Sequence, residues 1–432
     1  MLKDLFCSRL RVLLLLLFIV EFFRFLLLPS FLRNLTNLRL ICLIFLLFSS
    51  WLLENKKPVV FSWYKRKFDF AMIFLAISVV INCVSCLYFR KQSIFETLVN
   101  WAPILLLYLY YPLSCINLKV KDWEKILFYL FLINLFLHIG LSLINKPYLL
   151  FGLDVSDQRY DNDGRLRLFS DGILFLGSIF TLNKCLISKN RRIHYLVLYL
   201  LSLLAILLMG FRTAIFAIVL VSLFVLFINK SLTIRSAAVI LLASTLLAGI
   251  FYKSNTVQKR ISEITERNRN ANFENDDYVR VLIFNFYYTE YFKSKYEMIF
   301  GSGMVRRVYD NNEITKTFNA KYPSDYSRQV SFYSDNYHFF PVDLGLIGLS
   351  WEAGIPAVVV LYFFCLILLL SPQKNDYNYI RGWGLFLILT SYTLPFYYYH
   401  HNLIYMVIVF VIFLKLKHKE YYSKKVTCLK EL

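Results

Sequence analysis

Residues 68–88 read FDFAMIFLAISVVINCVSCLY. Asp69 is the one charged residue in the stretch, and apolar and polar positions do not alternate along it. A strand crossing a membrane with one face in lipid requires that alternation. As a helix rising 1.5 Å per residue, the stretch is about 31 Å long, close to the thickness of a bilayer's hydrocarbon core. A helix also satisfies its own backbone hydrogen bonds in hydrocarbon, where no water is present to do so. The stretch reads as a membrane-spanning helix.

Similar runs recur along the chain of 432 residues, of which 58% are hydrophobic. Length and hydropathy predict about twelve spans. They cover 10–28, 38–53, 68–88, 94–116, 123–144, 169–187, 193–209, 213–228, 234–252, 344–370, 379–396 and 403–416. The expected fold class is all-α, a polytopic helical membrane protein with one large external loop. Residues 1–252 form a bundle of about nine helices, interrupted by a smaller external loop at 146–168. Residues 253–343 form the large loop, and 344–432 contribute three further helices and a basic tail.

The net charge of +20 fits this class. In a soluble domain it would point to nucleic acid. Here the cations gather on connections that share one side of the membrane, as cytoplasmic loops do. Lys56, Lys57, Lys65, Arg66 and Lys67 precede the third span. Lys184, Lys189, Arg191 and Arg192 cluster where the sixth meets the seventh, and Lys415, Lys417, Lys419, Lys424 and Lys425 fill the tail. Both termini are then cytoplasmic, and no nucleic-acid partner is expected. Arg33, Arg39, Arg90 and Lys91 break the pattern, on connections this topology makes external. None of the eight cysteines lies in the two polar loops, and Cys83 and Cys86 read as small buried hydrophobes inside a helix.

The residues able to carry chemistry lie on the external connections. Arg212 follows Met209-Gly210-Phe211 at the mouth of a span, where a cation is costly unless paired or facing water. Arg280 sits in the large loop, on a stretch with amphipathic helical spacing. Its planar guanidinium suits a phosphate. Arg159, Arg165 and Arg167 share the smaller loop with Asp161 and Asp163. Those two acids are spaced as in metal-dependent sugar transferases, but the arginines compete with any cation, and no metal is expected. Asp335, Asn336, Tyr337 and His338 close the large loop, and Asp335 and His338 are candidates for acid-base work. Gly301-Ser302-Gly303 has no strand-turn-helix context and does not make a nucleotide fingerprint. Glu352, early in the tenth span, needs a role or a partner there.

The order of these features resembles the O-antigen polymerase and ligase superfamily, the Wzy-type enzymes of lipid-linked polysaccharide assembly. An arginine stands in a short external turn before a helix, Gly210-Phe211-Arg212-Thr213. A large external loop then carries Arg280 upstream of Gly301-Ser302-Gly303. An Asn-containing segment, Asp335-Asn336-Tyr337, leads to Gly345-Leu346-Ile347-Gly348 at the next helix. The similarity covers roughly residues 159–370. Ligases usually show His-Asn where this chain has Asp335-Asn336, which favours the polymerase branch.

The resemblance implies a GT-C-like membrane glycosyltransferase in the bacterial inner membrane. It would transfer a growing glycan from undecaprenyl pyrophosphate to a lipid-linked repeat unit on the periplasmic face, with no cofactor. Arg212 and Arg280 would stabilise the leaving pyrophosphate, and Asp335 or His338 would take the proton of the attacking hydroxyl. Arg159, Arg165, Arg167, Asn336 and Tyr337 would bind substrate. The implied partners are the lipid-linked donor and acceptor, the bilayer and a chain-length regulator. A ligase of the same superfamily is one alternative. A polysaccharide flippase or transporter is another, although paired halves with broken-helix repeats are not evident.

Overall fold

A computed structural model describes residues 63–116, 118–144, 159–160, 166–167, 172–209, 212–229, 288–289, 292, 294–303, 345–392 and 400–431. These are helical apart from one short antiparallel ladder and the connecting turns. In chain order the first helices are α1 (Trp63–Arg90) and α2 (Ile94–Leu105). A 3-10 turn at Leu106–Leu109 carries α2 on into α3 (Tyr110–Cys115). Next come α4 (Val120–Ile144), the ladder strands β1 (Arg159–Tyr160) and β2 (Leu166–Arg167), α5 (Gly172–Ile187), α6 (Arg192–Met209) and α7 (Arg212–Ile228). The last are α8 (Lys295–Phe300), α9 (Leu346–Ala353), α10 (Ile355–Leu370), α11 (Asn378–Thr390) and α12 (His400–Glu431).

Three of the described helices are long and apolar enough to cross a membrane, at Arg66–Phe89, Val120–Gly140 and Arg192–Met209. Shorter apolar helices cover Gly172–Ile187, Thr213–Ile228 and Ile355–Leu370. The expected first, second and ninth spans lie outside the described residues, as does most of the large loop.

The α1 helix shows why this pattern belongs to lipid. Its exposed stripe is Phe70, Ile73, Phe74, Ile77, Val80, Val84 and Leu87. Its buried face carries Ser78 and Asn82 beside Phe68, Leu75 and Cys86. The outside is more apolar than the inside, which is unfavourable in water and favourable in hydrocarbon.

The core lies where α12 runs. Every residue from Leu403 to Leu414 is buried, so the last apolar segment of the chain is central rather than peripheral. Phe68 of α1 meets Phe364 of α10 and stacks on Phe410 of α12. Lys415 Nζ donates to the carbonyl of Ile116 at 2.9 Å, tying α12 to the end of α3.

A buried polar chain fastens the end of the bundle that bears the cation cluster at 184–192. Asn229 donates to Asn183 and Asn378 donates to Asn229, each at 2.9 Å. Asn183 in turn donates to the carbonyls of Asn375 and Asp376. Three helices and the α10–α11 connection are thereby held in one register, with Gly382 of α11 packed against Ile179 and Val225. Beside this chain, Lys184 pairs with Glu124 at 3.0 Å and lies over the rings of Phe180 and Tyr377. Burial pushes the Tyr377 phenol above its ordinary pKa, and the nearby carboxylates of Glu124 and Asp376 add to the shift.

The expected tenth span, 344–370, is broken. It consists of α9 and α10 separated at Gly354, whose φ of 89° and ψ of 157° no L side chain adopts easily. Pro356 follows in the first turn of α10, where its missing N–H costs nothing and its ring favours a helix start. The short α8 lies within the sequence assigned to the external loop, yet Glu297, Gly301, Ser302 and Gly303 are all buried.

Candidate functional site

The broken helix and α8 end against each other. Gly301 closes α8 with φ 82° and ψ 152°, nearly the same conformation as Gly354 at the end of α9. A Cβ on Gly301 would lie 2.3 Å from the Glu352 carbonyl oxygen, and one on Gly354 would lie 2.6 Å from the Phe300 carbonyl. The two backbones touch with no space for a side chain between them.

A helix end leaves carbonyls without intrahelical partners, and inside a membrane protein these must be met by other protein groups. Here they are. Ser302 N donates to Trp351 O at 2.7 Å and Gly303 N donates to Glu352 O at 3.1 Å. Ser302 Oγ adds a bond to Trp351 O at 3.1 Å. The carboxamide of Asn82, fully buried on α1, bridges both helix ends. Its Nδ2 donates to Phe300 O at 3.1 Å and to Glu352 O at 2.8 Å. Its Oδ1 accepts from Trp101 Nε1 of α2 at 2.8 Å. Ser85 Oγ donates to Gly301 O at 3.0 Å, and Gly303 abuts Cys86. Four elements, α1, α2, α8 and α9, thus meet at one carboxamide.

At the start of α9, Leu346 N donates to Ser391 O at 2.9 Å. Gly345 has φ 53°, and a Cβ there would lie 2.2 Å from the same oxygen. Gly303 is bonded to the last turn of α9 and Gly345 precedes its first. At 1.5 Å per residue α9 is about 12 Å long, so Gly303 and Gly345 are held a short distance apart.

The expected site residues are only partly brought together. Asp335, Asn336, Tyr337 and His338 lie outside the described residues, as do Arg280 and Arg165. Arg212 is the first residue of α7, which has no acidic residue in its first turn. Arg159 and Arg167 are cross-strand partners in the β1–β2 ladder, with Asp161 and Asp163 in its connection. The structure brings Arg159 and Arg167 together. Gly301-Ser302-Gly303 is a joint rather than a phosphate cradle, because the N–H groups of Ser302 and Gly303 are spent on the carbonyls of α9. Glu352 is buried on α9 at that joint, with its carbonyl oxygen held by Gly303 and Asn82.

Asn82, Ser85, Trp101 and Gly354 are functional candidates that reading the sequence alone did not single out. The signal for Gly354 was present in Ala353-Gly354-Ile355-Pro356, a helix stop followed by a helix start inside an apolar run. Compared with known proteins, the chain matches no family model and no curated protein.

Proposed function

We propose that this chain is a membrane glycosyltransferase that polymerises lipid-linked polysaccharide repeat units outside the bacterial inner membrane. About twelve spans in a GT-C-like arrangement hold the site, and both termini face the cytoplasm. A hydroxyl of the lipid-linked acceptor attacks the anomeric carbon of the donor glycan. The bond from that carbon to the pyrophosphate oxygen breaks, and undecaprenyl pyrophosphate leaves. Asp335 or His338 takes the hydroxyl proton. Arg212 and Arg280 hold the charge that develops on the leaving group, so a divalent metal is not needed.

The observation that carries the reading is Arg212 at the start of α7. The helix macrodipole is positive there, the first turn has no acid, and the guanidinium adds a further positive charge. A cation in that place is disfavoured by the helix and favoured by an anion, as a pyrophosphate site requires. The cross-strand register of Arg159 and Arg167 fits the same chemistry, since like charges directly opposite repel and an anion between them would offset the repulsion.

Arg212→Ala and Arg280→Ala test this directly. Each variant inserts in the membrane but yields glycan without long chains, and Arg→Lys restores them partly because lysine lacks the bidentate fork. Full-length polymer from both alanine variants overturns the reading.

A further inference from the structure

The turn between α1 and α2 presents a cation in a strained backbone. Lys91 has φ 55°, and among the described residues it is the one non-glycine with positive φ. That conformation is strained for a residue that carries a side chain and unstrained for glycine. The residues just after Lys91 are well fixed. Gln92 is buried and donates to Thr97 Oγ1 at 2.9 Å, and Thr97 N donates to Ser93 O at 3.1 Å. The Lys91 ammonium lies 5.6 Å from the centroid of the Tyr88 ring. Tyr88 is 69% exposed and Phe95, on the other side of the turn, is 72% exposed. Exposed aromatic side chains beside a cation suit the depth of lipid headgroups.

The placement along α1 fits that depth. Lys65, Arg66 and Lys67 stand near one end of the helix, and Arg90 and Lys91 come at the other, with no basic residue between. Lys67 and Arg90 are about 34 Å apart along the axis, close to the thickness of the hydrocarbon core. Both cation groups therefore lie at an interface. Near the Arg90–Lys91 end, Cys86, about one helical turn earlier, abuts Gly303.

We infer that the Arg90–Ser93 turn is a binding site for the phosphate of a membrane lipid, with Lys91 as its principal cation. The chemistry fits the pyrophosphate of a polyprenyl carrier or the headgroup phosphate of an anionic phospholipid. The assignment of this turn to the external face rests on the function proposed above; the phosphate site itself does not. The full-length protein in phosphatidylcholine nanodiscs, supplied with undecaprenyl pyrophosphate or with phosphatidylglycerol, allows bound lipid to be counted by native mass spectrometry. Lys91→Gln is expected to lower retention of at least one of these lipids about fivefold, the weight of one basic residue near an anionic surface. Lys91→Gly relieves the backbone strain and loses the ammonium, so it falls with Lys91→Gln, whereas Lys91→Arg retains lipid. Loss confined to the pyrophosphate identifies the carrier lipid, and loss confined to phosphatidylglycerol identifies a structural headgroup site. Unchanged retention of both lipids in Lys91→Gln and Lys91→Gly overturns the inference. The assay contains no glycan, so its failure leaves the polymerase reading standing, and failure of that reading leaves a lipid-binding result intact.

Discussion

Asn82→Leu is expected to unfasten the joint between α8 and α9 while barely changing the volume of the α1 face. Leucine supplies neither of the two donors nor the acceptor. Trp101 Nε1 loses its bond to Asn82, and Phe300 O and Glu352 O both lose the bond from α1. Each buried group left unpaired costs roughly 1–3 kcal/mol in proteins generally, and hydrogen bonds between membrane helices average nearer 0.6 kcal/mol. The lower figure reflects an unfolded chain that finds other partners in the membrane. At this joint the carbonyls belong to helix ends rather than to side chains free to turn elsewhere, so the larger range applies. The expected loss is about 2–5 kcal/mol. It is read as a lowered unfolding midpoint in detergent, with segment 304–344 cut earlier by protease. Asn82→Asp keeps the acceptor for Trp101 but turns a second oxygen toward the two carbonyls, so it loses at least as much as the leucine variant. A leucine variant with the midpoint and cleavage pattern of the parent would show that Asn82 does not hold the joint.

Gly301→Ala has the other large expected effect, and its cause is steric. The new Cβ would lie 2.3 Å from Glu352 O and 2.5 Å from Gly354 N, both backbone atoms of an anchored helix end. No side chain can turn away to relieve the contact. The backbone angles themselves, φ 82° and ψ 152°, cost an alanine on the order of 1–3 kcal/mol before any clash. Either α8 withdraws from α9, breaking the bonds from Ser302 and Gly303, or α9 shifts and the anchor at Gly345 loosens. Gly140 is the control. It lies within α4 with nothing within 4 Å of a Cβ, so Gly140→Ala is neutral or stabilises by up to about 1 kcal/mol. Folded, monodisperse yield and unfolding midpoint should separate the two variants sharply. Equal behaviour would mean that the two helix ends are not in contact.

The helical character of this chain was legible because hydrocarbon imposes it. Residues 68–88 have one charge and no alternation, and the structure places them within α1. The buried and exposed faces of α1 were not legible, because both are apolar and differ by only a few small polar groups such as Ser78 and Asn82. Hydropathy also joined α9 and α10 into one span. A window average does not register a single glycine, although Gly354 followed by Pro356 marks the break once both are read as backbone signals. The central position of α12 could not be read from its own sequence, since an apolar helix in lipid and one buried all round look alike. The candidate site was less legible than the fold. The position of Arg212 at a helix start follows from Gly210 and the apolar run after it, and the structure agrees. Gly301-Ser302-Gly303 drew attention as a motif for its glycines, but its N–H groups serve the carbonyls of α9, a contact made across about fifty residues of chain that local reading does not reach.

The most direct test of the proposed function is the length of the surface glycan in a strain that lacks this protein and carries otherwise intact polysaccharide assembly. A polymerase predicts that single repeat units still cross the membrane and reach their final acceptor, while long chains disappear and return when the gene is restored. Complete absence of attached glycan, repeats retained on the cytoplasmic side, or an unchanged ladder of long chains would contradict it.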